Sequence, residues 1–68
     1  MEITLHDQPS YELVFRSMHR EGWAFAFPCD GRGLVSLDAL SERARTNYLY
    51  VRATVGREFL TPELCRST

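Results

Sequence analysis

The sequence predicts a small α+β domain: an antiparallel β-sheet, as a hairpin or a meander, with one C-terminal helix packed on one face. Between Leu37 and Val55, apolar side chains recur at the spacing of one helix face. In WAFAFP, Trp23–Pro28, aromatic residues alternate with alanines at the period of a strand. A chain of 68 residues has room for one core. We therefore expect a single domain over residues 1–60 and a flexible tail over 61–68.

The first predicted strand is Glu2–His6, where Ile3 and Leu5 alternate with polar residues. Pro9, flanked by residues that bond their own backbone, predicts a chain reversal after it.

The next segment, Tyr11–Met18, fits both a helix stripe and a strand. Its β-branched and aromatic residues, and the strand pattern that follows a glycine turn, favour a β-hairpin. A helix here would instead give a β-α-β-β-α order. A three-residue loop, Arg20–Gly22, predicts the hairpin register. That register pairs Phe15 with Phe27, Ser17 with Phe25 and Leu13 with Cys29.

A dense turn signal, CDGRG, follows Pro28, which belongs at the end or edge of a strand. Leu34–Ser36 is a candidate for a brief third pairing. The helix is then predicted over Asp38–Val55, with Ser36 and Asp38 supplying the N-terminal cap and Gly56 ending it.

The inward face of this helix is predicted to pack on the aromatic face of the hairpin. We expect Leu40, Ala44, Tyr48 and Val51 to meet Phe15, Phe25 and Phe27. Because so small a domain needs its large aromatic residues for the core, we also favour core positions over an exposed stacking platform for Trp23, Phe25 and Phe27.

Composition and charge narrow the function classes. The formal net charge of −1 argues against a nucleic-acid binder that relies on bulk positive charge, although a local basic patch stays open. No apolar run approaches the length that spans a bilayer, and the acidic N-terminus does not resemble a signal peptide. We expect a cytoplasmic protein with no membrane partner and with reduced thiols at Cys29 and Cys65.

Neither a metal site nor a catalytic centre is predicted. His6, His19, Cys29 and Cys65 lack the close spacing that holds two metal ligands on one turn. Asp30 should raise the pKa of the neighbouring Cys29 thiol, which disfavours a nucleophilic role. We therefore expect no cofactor and no enzymatic activity.

The predicted binding residues lie on the helix. Tyr and Arg are enriched at binding hot spots, and an outward leucine would be left outside the core. The alternative is an ordinary solvated face. The candidate residues are Arg43, Arg45, Asn47, Leu49, Tyr50 and Arg52, with Thr54 continuing the row of Arg43, Asn47 and Tyr50.

Four segments resemble a group of short, functionally uncharacterised bacterial proteins. They are FPCD at Phe27–Asp30, LDALSERAR at Leu37–Arg45, NYLY at Asn47–Tyr50 and VGREF at Val55–Phe59. The resemblance implies a bacterial cytoplasmic setting and no particular site residue.

The function expected from the sequence is a non-catalytic protein–protein interaction module. It would present the outer helix face and an open sheet edge to a second copy of itself or to another protein. The alternative is a DNA-binding accessory protein, whose arginines would contact phosphates while Asn47 reaches a base edge.

Overall fold

The structure, a computed structural model, describes residues 11–66. Over this range the chain forms a three-stranded antiparallel sheet, in the order β2-β1-β3, and one α-helix. The elements are β1 at Tyr11–Arg16, β2 at Ala24–Cys29, α1 at Glu42–Ala53 and β3 at Glu63–Arg66. The predicted α+β fold is confirmed, and the strand at Tyr11–Arg16 replaces the alternative β-α-β-β-α order. The predicted strand Glu2–His6 lies outside the described residues.

The hairpin pairs the same faces of β1 and β2 as predicted, but in a different register. Phe15 lies opposite Phe25, and Leu13 lies opposite Phe27. The predicted pairing of Phe15 with Phe27 is therefore wrong by two residues. Since side chains in a strand alternate with a period of two, this shift leaves the apolar residues of both strands on one face.

The cause of the shift is the turn between the strands. The Ser17 N–H donates to the Trp23 carbonyl at 2.9 Å, so the connection covers the five residues Met18–Gly22 and not the predicted three. Ser17 Oγ accepts hydrogen bonds from the His19 and Arg20 N–H groups, which bends the chain directly after Ser17. Gly22, at φ 85°, then completes a tight turn closed by the Trp23 N–H and the Arg20 carbonyl.

The third strand was not predicted. The sequence places a flexible tail over 61–68, whereas Glu63–Arg66 pairs with β1 as β3. Two contacts just before it direct the chain back along β1: Phe59 forms an isolated bridge with Ser17, and the Leu60 N–H donates to the Arg16 carbonyl at 2.9 Å. The predicted flexible tail is therefore wrong at Glu63–Arg66, which forms a strand. The predicted brief strand at Leu34–Ser36 is also wrong, because these residues lie in irregular backbone.

The helix begins four residues later than predicted, at Glu42 and not at Asp38. Its N-cap is Ser41, whose Oγ accepts from the Ala44 N–H at 3.1 Å. Leu37–Ala39 forms a separate 3₁₀ turn, and Ser36, the predicted cap, makes no side-chain capping bond there. Leu40 separates the 3₁₀ turn from α1 because its backbone is extended, at φ −93° and ψ 147°.

The core lies between the sheet and α1. Tyr48 packs edge-on against Phe15 and Phe27, with ring centroids 6.3 and 5.1 Å apart. The cluster also contains Leu40, Val51 and Phe59 as buried members, with Leu13, Phe25, Val35, Ala44 and Val55 partly buried against it. The predicted packing of the helix stripe on the hairpin aromatics is thus confirmed, whereas Leu37 at the start of that stripe is exposed.

Among the described residues, no helix combines the length and the apolar character that crossing a membrane requires.

Candidate functional site: an aromatic cleft beside the core

The described residues form a cleft of about 240 Å³, which we call the aromatic cleft. It lies between the β1–β2 turn, the C-terminal half of α1 and the loop that follows α1. Its lining consists of Ser17, His19, Arg20, Trp23, Ala24, Phe25, Tyr50, Glu58 and Phe59.

Four aromatic rings give the cleft its shape. Phe59, 7% exposed, belongs to the core as well as to the cleft, and it meets Phe25 and Tyr50 edge-on at centroid distances of 5.7 and 6.3 Å. Trp23 and Tyr50, in contrast, are 58% and 55% exposed. Large aromatic side chains left this open in a small domain are typical of a binding surface.

Polar groups of both charges lie among these rings. The guanidinium carbon of Arg20 is 4.7 Å from the centroid of the Trp23 ring, a cation–π contact. His19 Nε2 lies 2.8 Å from the Arg57 carbonyl oxygen and 4.0 Å from a carboxylate oxygen of Glu58. Within residues 11–66, no salt bridge joins Arg20 to Glu58, so the cation and the anion of the cleft are separate.

Backbone hydrogen bonds fix the two walls of the cleft to each other. The Met18 N–H, in the β1–β2 turn, donates to the Glu58 carbonyl at 2.9 Å. The Gly56 N–H donates to the Phe59 carbonyl at 2.7 Å, and Gly56 itself has φ 94°, as the sequence predicts for a glycine that follows the helix. The aromatic rings are therefore held by a structured loop, and a ligand would meet a largely preformed surface.

The predicted binding residues of the helix do not form one row. At 100° per residue, Arg43, Asn47 and Tyr50 lie on one side of α1, and three others lie on roughly the opposite side. That second group is Arg45, Leu49 and Arg52. Arg43, Leu49, Tyr50 and Arg52 are exposed, whereas Arg45 and Asn47 are half-buried. Of the six, only Tyr50 lines the aromatic cleft.

Two of the residues predicted for the outer helix face, Arg45 and Thr54, make side-chain hydrogen bonds to the backbone. Arg45 Nε donates to the Leu37 carbonyl at 3.3 Å, so this arginine fastens the 3₁₀ turn to α1. Thr54, which the sequence pattern placed on the outer face, is buried, and its hydroxyl donates to the Tyr50 carbonyl at 2.9 Å. Thr54 therefore stabilises the end of the helix.

Sequence reasoning missed His19, Arg20, Trp23 and Glu58 as site residues, and its core assignment of Trp23 is wrong. The position of Trp23 in the sequence could have indicated its exposure. It follows the turn glycine and precedes β2, so it lies at the end of the sheet. Arg20 and Glu58 gave no signal, because the contacts that bring the turn and the late loop together join residues distant in sequence.

The two cysteines are free, and they lie on opposite faces of the sheet because their partners in β1, Tyr11 and Glu12, are consecutive residues. Burial raises the pKa of the Cys29 thiol, with further increases from the nearby charges of Asp30 and Glu12. The predicted effect of Asp30 is confirmed. Over the described part of the chain, no three His, Cys, Asp or Glu side chains gather as a metal site would require.

Comparison with protein-family models, with curated proteins and with solved structures finds no match for this chain. The resemblance to short bacterial proteins stays a prediction.

Proposed function

We propose that this chain is a non-catalytic protein–protein interaction module whose main contact surface is the aromatic cleft. The single observation that carries the proposal is the 58% exposure of Trp23 at the rim of a preformed cleft. Tryptophan, tyrosine and arginine are the residue types most enriched at binding hot spots, and Trp23, Tyr50 and Arg20 lie together here.

The size of the cleft supports a protein partner over a cofactor. Pockets for small molecules usually hold about 300–1,000 Å³ and enclose most of the ligand. A cleft of about 240 Å³ with an exposed rim suits one inserted side chain. Its aromatic floor with polar groups around it also matches the usual anatomy of a protein interface.

The open sheet edge is a second contact in this proposal. Among residues 11–66, β2 and β3 are the outer strands of the sheet, so each has one edge without a strand partner. Ala24, the first residue of β2, also lines the aromatic cleft. A partner whose side chain enters the cleft could therefore bond to the backbone of β2 at the same time.

Affinity capture with three baits tests the proposal: the wild type, Trp23→Ala and Leu49→Ala. Leu49 is a matched control because it is 47% exposed but lies on the other side of α1. Proteins that bind through the cleft should be retained by Leu49→Ala and lost, at least tenfold, by Trp23→Ala. Equal capture by all three baits would contradict a role for the cleft, and loss with Leu49→Ala alone would assign binding to the outer helix face.

The DNA-binding alternative is an outcome of the same experiment. Nuclease treatment of the lysate should leave the captured proteins unchanged, because Arg43 lies on the opposite side of α1 from Arg45 and Arg52, so these three arginines do not share one face of the helix. Capture that disappears with nuclease, and weakens steeply with salt, would instead support nucleic-acid binding.

A further inference from the structure

We infer that the aromatic cleft binds a second copy of this chain, in a two-fold symmetric dimer that pairs Arg20 of each protomer with Glu58 of its partner. This inference rests on the proposed function and names the partner.

The charges of the cleft support a second copy. A two-fold interface uses the same surface on both protomers, so it is favourable only when that surface complements itself. A cleft with one sign of charge would repel its own copy. This cleft carries a cation and an anion that no salt bridge joins within residues 11–66: Arg20 lies over Trp23, and Glu58 lies beside His19. In the symmetric dimer, a partner copy places its Glu58 against Arg20 and its Arg20 against Glu58.

The aromatic groups provide the centre of such an interface. The indole of Trp23 extends from the rim, and the space of about 240 Å³ beside it is of the size that one large side chain fills. Reciprocal contact of Trp23 with the cleft of the partner would remove both exposed rings, Trp23 and Tyr50, from water. Met18, 45% exposed, lies next to the cleft, since its N–H donates to the Glu58 carbonyl.

The overall charge does not oppose the association. With a formal net charge of −1, two copies repel each other only weakly at long range. The two Arg20–Glu58 contacts would then set the orientation of the dimer, and the aromatic centre would supply most of the buried apolar area.

The first test is the mass of the full-length wild type by sedimentation equilibrium at concentrations up to about 1 mM. We expect the mass to rise from 7.9 kDa towards twice that value. Trp23→Ala should shift the midpoint of this rise at least tenfold to higher concentration, and Leu49→Ala should leave it unchanged. A wild type that stays at 7.9 kDa throughout would overturn the inference whatever the variants do.

Charge reversal tests the pairing itself. Arg20→Glu alone places two carboxylates opposite each other in a symmetric dimer, and Glu58→Arg alone places two guanidinium groups there, so each variant should remain monomeric. An equimolar mixture should associate again, because every contact in the mixed dimer then joins opposite charges. Recovery in the mixture also shows that both variants are folded.

Two results separate this inference from the proposed function. A mixture that fails to associate while the wild type dimerises would overturn the pairing of Arg20 with Glu58. A monomeric wild type that still captures other proteins, in a manner sensitive to Trp23→Ala, would remove self-association and leave the interaction module in place.

Discussion

Two aromatic residues on the same face of the hairpin, Phe27 and Trp23, have opposite environments. Phe27 is 3% exposed and packs against Tyr48, with centroids 5.1 Å apart. Trp23, four residues earlier, is 58% exposed. Both belong to the same alternation of aromatic residues with alanines. The alternation therefore determines on which face of the sheet a side chain lies, whereas the position of α1 determines whether that side chain is covered.

Two tyrosines of the helix also differ in whether they lie in the core or in the cleft. Tyr48 points into the core, and Tyr50, two residues later, lines the aromatic cleft. Since two residues turn a helix by about 200°, these tyrosines leave α1 in different directions. The core and the cleft are therefore adjacent regions built from the same residue types, and they differ in how completely the helix covers them.

Substitutions at Phe27 and Trp23 should separate the two regions most strongly. Phe27→Ala removes a buried ring and should lower the free energy of unfolding by about 3–5 kcal/mol, much of the stability expected for a small domain. Trp23→Ala removes an exposed ring and should cost less than about 1 kcal/mol. Chemical denaturation followed by circular dichroism measures both; equal costs would show that Trp23 belongs to the core.

The core face of this fold was predictable from sequence, while the cleft was not. The apolar spacing of Leu40, Tyr48 and Val51 and the aromatic face of β2 follow from local periodicity, although Leu40 lies just before α1. In contrast, the cleft needs the turn after Ser17 and the loop at Glu58 to meet, and that contact joins residues far apart in sequence. Strand β3 was missed for the same reason, because its pairing depends on the return of the chain at Phe59 and Leu60.

A smaller effect on stability is expected at the N-cap of α1, the helix that covers the core. Ser41→Ala removes the hydrogen bond to the Ala44 N–H and should cost about 1 kcal/mol. Ser36→Ala, at the cap that the sequence predicted, should change stability by no more than about 0.5 kcal/mol because Ser36 makes no side-chain capping bond in the structure. Neither substitution should alter binding at the cleft. Equal losses of stability in urea titrations would contradict the observed start of α1.

The smallest effect is expected at Asp30, in the turn after β2. Hydrogen bonds from the Leu34 and Arg32 N–H groups lower the pKa of its carboxyl group. A lowered pKa in the folded state contributes stability above the unfolded pKa, and this contribution is lost as pH falls through the folded pKa. Between about pH 5 and pH 3, the wild type should therefore lose slightly more stability than Asp30→Asn.

Cleft binding gives the control for this titration. Measured at neutral pH, it should be the same in the wild type and in Asp30→Asn. Parallel loss of stability in the two proteins on acidification would show that the turn does not depend on the ionised carboxylate.

The most direct test of the central claim, that an aromatic cleft stays open beside a closed core, uses Trp23, the one tryptophan of the chain. Its fluorescence in the folded protein at low micromolar concentration should be red-shifted, and iodide should quench it about half as efficiently as in the unfolded chain, as its 58% exposure implies. Raising the concentration of the protein should protect the indole as the second copy covers it. A blue-shifted emission that iodide cannot quench at any concentration would place Trp23 in the core and contradict the account.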